Sequence, residues 1–327
     1  MSSSSENSAG CGDDHCSSPE LSVAREPRKH RPWEHKSSNE RPTWQPSVDH
    51  VPRRWDRLVR LVGNEGIRNL LQSRVAIFGL GGVGGYVAET LVRSAVGGLT
   101  IVDFDDVCVT NVNRQIQAFP ATVGQSKASL LAARLQAINP DAFVEPIQAF
   151  YDPNTSETLL QPRPDFVVDA IDNVTAKVHL LLRCLELRIP VVSVSGAGAR
   201  WDPTQVRVAD LSKTKVDPLA RIIRKELSRR GIDTTKQVGL PVVFSEEEVS
   251  EPHIPSWDEE SGFRCICPHR EDSPHACEKR RVIYGTASFV TSAFAAAATS
   301  VVVKGLVDDG SSQSQEDCEK EKAQSAS

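Results

Sequence analysis

The sequence has no strong excess of charge of either sign, no dense cysteine framework and no secretory signal. Its 38 lysines and arginines stand against 43 acids, a net charge of −5. Such a balance exerts no overall pull toward nucleic acid or anionic membrane, so any binding of that kind must come from a local patch. Eight cysteines are scattered over 327 residues, which excludes a disulfide scaffold and suits reduced thiols. The longest apolar run, SFVTSAFAAAATSVVV at 288–303, is short for a membrane span and rich in alanine, serine and threonine. It reads as a buried helix, so no membrane association is expected. The start, MSSSSENSAGCGDDHC, lacks a basic segment followed by an apolar one, which points to a cytoplasmic chain. There is no internal repeat.

What is present is a chain able to bury a large core, with 39% hydrophobic residues. Residues 1–52 are rich in Ser, Pro, Glu and Arg, and 307–327 are mostly acidic and polar. Both read as disordered tails around one domain at 53–306. Inside it, RVAIFGL (74–80), LTIVDFD (99–105), FVEPIQ (143–148), DFVVDAI (165–171) and PVVSVSG (190–196) are short apolar runs rich in β-branched residues. Segments of helical length separate them, one being GQSKASLLAARLQAINP at 124–140, which should stop at Asn139-Pro140. Alternating strands and helices predict an α/β protein with a Rossmann-like, doubly wound sheet and helices on both faces. The parallel first half should continue into an antiparallel part. There, ARWDPTQVRVADL (199–211) suggests a hairpin about Asp202-Pro203, DPLARIIRKELSRRG (217–231) a basic amphipathic helix, and 246–280 a long polar loop.

The chemistry begins at GLGGVGG, where Gly79, Gly81 and Gly84 follow a strand and open a helix. Glycines there let the backbone approach phosphate, and the free amides of the helix start favour an anion. Asp103 ends the second strand, where a carboxylate can accept ribose hydroxyls. To this point NAD and ATP fit equally. Asn113-Arg114 and then Lys127 add cations beside the same nucleotide, which suits a triphosphate whose pyrophosphate leaves. Asp172, in DAIDN at 169–173, ends the fourth strand at the carboxyl edge of the sheet and suits magnesium held against phosphates.

These stretches resemble the adenylating domain shared by ubiquitin-activating enzymes and the bacterial activators of sulfur-carrier proteins. More narrowly, RRWDRLVRLVGNEGI (53–67), DDVCVTNVNRQIQA (105–118), GAGARWDPTQVRVADLSKTKVDPLARIIRKEL (196–227) and VVFSEE (242–247) resemble the tRNA threonylcarbamoyladenosine dehydratases. The resemblance implies that Gly79, Gly81, Gly82 and Gly84 bind ATP phosphates and Asp103 the ribose. It puts Asn113, Arg114 and Lys127 on the phosphate tail and Asp172 at magnesium, with Asp105 and Asn173 also lining the nucleotide site. It further implies a homodimer in which Arg54 or Arg57 reaches the partner's site. The implied reaction is ATP-dependent cyclisation of threonylcarbamoyladenosine at position 37 of tRNA, through adenylation of the threonyl carboxylate. Activation of a ubiquitin-like or sulfur-carrier protein, or a non-catalytic nucleotide-binding adaptor, is the alternative.

The paired Cys-x-x-Cys zinc motifs usual among the carrier activators are absent. CICPHREDSPHAC instead offers Cys265, Cys267 and Cys277 with His269 and His275. These are possible zinc ligands, but the spacing favours a polar loop with incidental thiols. Cys277 could alternatively accept sulfur from a transfer partner. Cys108 and Cys184 read as core residues, Cys11 and Cys16 as inert tail thiols, and His179 as an ordinary helix residue. The basic helix, with Arg221, Arg224, Lys225, Arg229 and Arg230, is the sequence's candidate contact with tRNA phosphates.

Overall fold

The β-branched runs pair as expected because each presents apolar side chains to both sides. In the computed structural model, which describes residues 51–258, 266 and 282–325, β1 (Arg74–Phe78), β2 (Gly98–Val102), β3 (Phe143–Ile147), β4 (Phe166–Asp169) and β5 (Val191–Val194) run parallel. Next to β5 lies β7 (Pro241–Ser245), also parallel, and β6 (Val206–Asp210) closes that edge antiparallel to β7. The order β3-β2-β1-β4-β5-β7-β6 reverses direction of growth between β1 and β4. Ligands of open α/β sheets bind in the crevice at such a reversal, outside the carboxyl ends of the strands.

Strand residues alternate between two cores, as a period of two requires. Val75 and Ile77 of β1 face one core with α1 (Asp56–Gln72), α2 (Gly84–Arg93), α3 (Lys127–Ile138) and α7 (Ser288–Ser325), while Ala76 and Phe78 face the other. That second core is covered by α4 (Ser156–Leu159), α5 (Val174–Leu187) and α6 (Pro218–Arg229). Helix starts follow their capping residues: Ser126 accepts from the Ser129 amide, Asn173 from Ala176 and Asp217 from Ala220. Ser288–Asp308 of α7 has the length and composition of a membrane span, more than the shorter run suggested. Val290, Phe294, Ala295, Ala298, Val302 and Leu306 are nevertheless buried in the first core, as expected of a packed helix.

Two sequence expectations are corrected. Residues 199–211 form no hairpin: Asp202 caps a short turn with Pro203 at its start, and the strand that follows pairs with β7 across α6. A proline next to an Asx-type cap favours a helical turn over a hairpin loop, and Glu247 accepts the Trp201 and Asp202 amides that a hairpin would have used. Where a disordered tail was expected from 307, α7 continues to Ser325. A helix already nucleated by packing extends readily through Glu-, Lys- and Gln-rich sequence. Residues 1–50, Cys265, Cys267, Cys277 and both histidines between them lie outside the described residues.

Candidate nucleotide and phosphate site

The glycine loop between β1 and α2 is tight enough that two of its positions admit no side chain. Gly79 has φ +87°, and a Cβ there would sit 2.6 Å from the Ala170 carbonyl oxygen. A Cβ on Gly84 would lie 1.8 Å from the carbonyl oxygen of Gly79. At Gly81, by contrast, the nearest atom to a Cβ is Gln115 Nε2 at 4.0 Å, so the loop opens at that point. This is a cradle into which phosphate oxygens fit.

Asp103 braces the loop from the end of β2. Its Oδ2 accepts the Leu80 amide at 2.6 Å and its Oδ1 the Asp105 amide at 2.8 Å. Burial pushes its carboxyl above the usual range; nearby Lys127 opposes this, while Asp105 adds to it. Lys127, on the first turn of α3, donates to Asp105 Oδ2 at 2.8 Å and is only 6% exposed. Burial by itself would lower its ammonium, but Asp103, Asp105 and Asp172 together hold it above the ordinary lysine value. A buried cation is thus kept charged among three carboxylates, one of which, Asp103, holds the loop.

The segment after β2 folds over the glycine loop. Gln117 Nε2 donates to the Leu80 carbonyl at 2.7 Å. Arg114 Nη1 donates to the Thr110 carbonyl at 2.8 Å and to Asn113 Oδ1 at 2.9 Å. Arg114 Cγ would lie 3.4 Å from a Cβ on Gly82, so its stem rests on the loop. Asn113 Nδ2 reaches across to the Thr286 carbonyl at 2.8 Å. Asp172 is exposed just beyond β4, and Asn173 caps α5 through its side-chain oxygen.

The structure therefore gathers Gly79, Gly81, Gly82, Gly84, Asp103, Asp105, Asn113, Arg114, Lys127, Asp172 and Asn173 around one edge of the sheet. It does not bring Arg54 or Arg57 of the same chain there. Arg54 pairs with Asp141, which precedes β3 and so lies at the opposite, amino edge, and Arg57 is exposed on α1. Among the described residues no group of three or more His, Cys, Asp or Glu is placed to hold a metal ion. An exposed carboxylate just beyond β4, at the same sheet edge as the glycine loop, nonetheless fits magnesium, which takes one or two carboxylates and completes its shell with phosphate and water oxygens.

Sequence reasoning assigned no role to Gln115 and Gln117, whose Oε1 atoms are buried without a hydrogen-bond partner. It also missed two buried ion pairs near the ends of β4 and β5. Lys177 Nζ lies 2.7 Å from Asp169 Oδ2, which also accepts Ser193 Oγ. Arg200 Nη2 stands 3.6 Å from Asp217 Oδ2. Spacing along the chain gives no signal for pairs formed across strands. Cys184 is a core thiol, pushed up to about 12 chiefly by burial, and remains protonated and inert.

A doubly wound sheet with a glycine cradle, a bracing acid and two cations at its topological reversal defines a nucleotide-type α/β protein. The chain belongs to the ThiF family, whose model matches residues 55–320. It is 44% identical over 186 residues to the tRNA threonylcarbamoyladenosine dehydratase of Bacillus subtilis, covering 57% of this chain and 72% of that one. With the Escherichia coli dehydratase it shares 35% identity over 257 residues, 78% of this chain and 93% of the relative. A crystal structure of the E. coli dehydratase in complex with ATP superposes with a TM-score of 0.68 at 33% identity, covering 80% of this chain and 96% of that one. The same enzyme has also been solved in complex with AMP.

Proposed function

We propose that this protein is an ATP-dependent dehydratase that cyclises threonylcarbamoyladenosine in tRNA. One observation carries the reading: Lys127, kept charged by Asp103, Asp105 and Asp172, stands at an open glycine cradle in a chain that spans nearly the whole of a dehydratase relative.

A carboxylate is a poor electrophile because its oxygens are anionic. One of these oxygens attacks the α-phosphorus of ATP, pyrophosphate leaves, and the acyl group becomes a mixed anhydride with AMP. A nitrogen or oxygen of the neighbouring carbamoyl group then attacks the acyl carbon, a carbamoyl N–H gives up its proton, and AMP departs carrying the carboxylate oxygen. The net change is loss of one water from the nucleoside. Because both reacting groups belong to one substituent, ring closure profits from proximity and needs no protein nucleophile. The cradle amides, Arg114 and Lys127 neutralise charge building on the phosphates and the leaving pyrophosphate. Asp103 orients the glycine loop and meets the ribose. Asp172 would hold magnesium, which supplies further neutralisation of the phosphates.

The protein acts as a cytoplasmic homodimer in this reading, with Arg57 contributing to the partner's site. Arg57 is exposed and makes no ion pair among the described residues, whereas Arg54 is held by Asp141. The deciding experiment incubates tRNA bearing threonylcarbamoyladenosine with the protein and magnesium, with and without ATP, and analyses the digested nucleosides by mass spectrometry. Loss of one water only when ATP is present is expected. An unchanged nucleoside with bound ATP overturns the substrate assignment.

A further inference from the structure

The sheet's outer edge carries a basic cavity that the nucleotide site does not use. It has a volume of about 500 Å³ and lies between β6 and the segment leading to α6, with Arg207, Lys213, Lys215, Thr214 and Phe244 in its wall. Glu246 is the carboxylate of this cavity and pairs with Arg207 at 3.2 Å. Lys213 and Lys215 are exposed and make no ion pair among the described residues. The neighbouring acids are committed elsewhere. Asp210 accepts from the amides of Ser212, Val238, Gly239 and Leu240, Asp217 is buried against Arg200, and Glu226 holds Arg229 and Arg230. Glu246 thus balances Arg207, and among the described residues the charge of Lys213 and Lys215 is left uncompensated.

The backbone is strained at this place. Val216 has φ +62°, an outlier for a β-branched residue, and the Asp217 amide donates to the Lys215 carbonyl at 2.6 Å. This closes a γ-turn of the strained kind. Arg224 clamps the turn from α6 by donating to the carbonyls of Leu211 and Thr214. The strain is maintained by surrounding contacts at a point that holds Lys215 out in solvent, and such outliers gather at functional surfaces.

Position relates the cavity to the chemistry. Asp217, two residues beyond Lys215, accepts Ser195 Oγ just past the carboxyl end of β5. Arg207 pairs in register with Phe244, near the carboxyl end of β7. Both cations thus lie toward the edge that bears the glycine cradle. Four strand spacings of about 4.8 Å separate β1 from β6, about 19 Å in all, a span that an RNA stem can bridge. Arg221 and Lys225, four residues apart on the exposed side of α6, extend the charge and make no ion pair among the described residues.

We propose that Lys213 and Lys215, continued by Arg221 and Lys225, bind the phosphodiester backbone of the RNA substrate and hold its reacting nucleotide at the adenylating edge. This rests on the tRNA reading above and changes the sequence-based one. Arg224 is consumed in supporting the turn and Arg229 and Arg230 pair with Glu226, so the helix is not uniformly an RNA face.

The test uses the full-length protein and tRNA bearing threonylcarbamoyladenosine, with binding measured as KCl is raised. The double variant Lys213→Glu/Lys215→Glu should bind tRNA more weakly by about tenfold or more and show a shallower dependence of log affinity on log salt, by about one per lysine removed. Affinity for ATP should stay unchanged, and in turnover KM for tRNA should rise while kcat at saturation is retained. The control Arg229→Ala/Arg230→Ala should behave as wild type. The inference is overturned if the lysine variant keeps wild-type affinity and salt slope, if the control loses as much, or if wild type binds no tRNA. Should wild type bind tRNA but dehydrate nothing, the proposed activity falls. Loss of that binding in the lysine variant would still support the phosphate surface.

Discussion

Lys127 shows how one residue is made chemically useful by where it is folded. Burial alone would lower an ammonium that is only 6% exposed, yet three carboxylates more than offset this and hold it above the ordinary lysine value. Lys127→Ala should lower the rate of pyrophosphate release by about 10²–10³-fold, the usual cost of removing one preorganised charge stabiliser. It should also weaken ATP binding, since Asp103, Asp105 and Asp172 would then face the phosphates uncompensated. Asp210 gives a residue-scale prediction about stability. Burial opposes its charge, but donors from Ser212, Val238 and Gly239 outweigh that and hold its carboxyl below the usual range. The stabilisation is present above the unfolded carboxyl value and is lost as pH falls through the folded one. Urea midpoints should therefore decline below about pH 5 in wild type, and part of that decline should vanish in Asp210→Asn. The variant should cost about 1–3 kcal/mol at neutral pH, because loop amides lose a charged acceptor.

At the scale of elements, the glycine loop and α2 form one unit with the end of β4. A methyl group at Gly84 has nowhere to go, with Gly79's carbonyl oxygen 1.8 Å from its position. Gly84→Ala should open the loop, lower stability by about 1–3 kcal/mol and abolish ATP binding by calorimetry. A variant that binds ATP normally would show that the loop does not carry the phosphates. The same reasoning separates the two ends of α7. Its apolar stripe from Val290 to Leu306 packs on α1 and α2. Phe294→Ala, at a fully buried position, should cost about 3–5 kcal/mol in denaturant unfolding.

At the scale of the whole molecule, the proposed dimer makes a prediction that a monomer cannot satisfy. If Arg57 serves the partner's site, Arg57→Ala and Lys127→Ala should each be strongly impaired alone. Mixed and allowed to exchange subunits, they should regain activity, because one of the two sites then has both cations. No recovery after exchange, verified by a tagged subunit, would remove Arg57 from the site.

The glycine fingerprint, the acid after β2 and the strand–helix alternation were legible in the sequence because each depends on neighbours only a few residues apart. Gly79, Gly81 and Gly84 announce a backbone conformation, Asn139-Pro140 a helix end, and alternating valines and isoleucines a strand buried on both faces. The partnership of β6 with β7 was not legible, since the pairing spans α6 and only Glu247's capture of two amides settles which way residues 199–211 turn. Nor were the buried pairs Lys177–Asp169 and Arg200–Asp217, or the division of the basic helix into structural and exposed arginines. Sequence by itself determined the local conformations and the identity of the charged groups. Only tertiary structure decided which charges are buried together and which are left to meet a partner, because electrostatic energies depend on distance and burial through space, which separation along the chain does not encode.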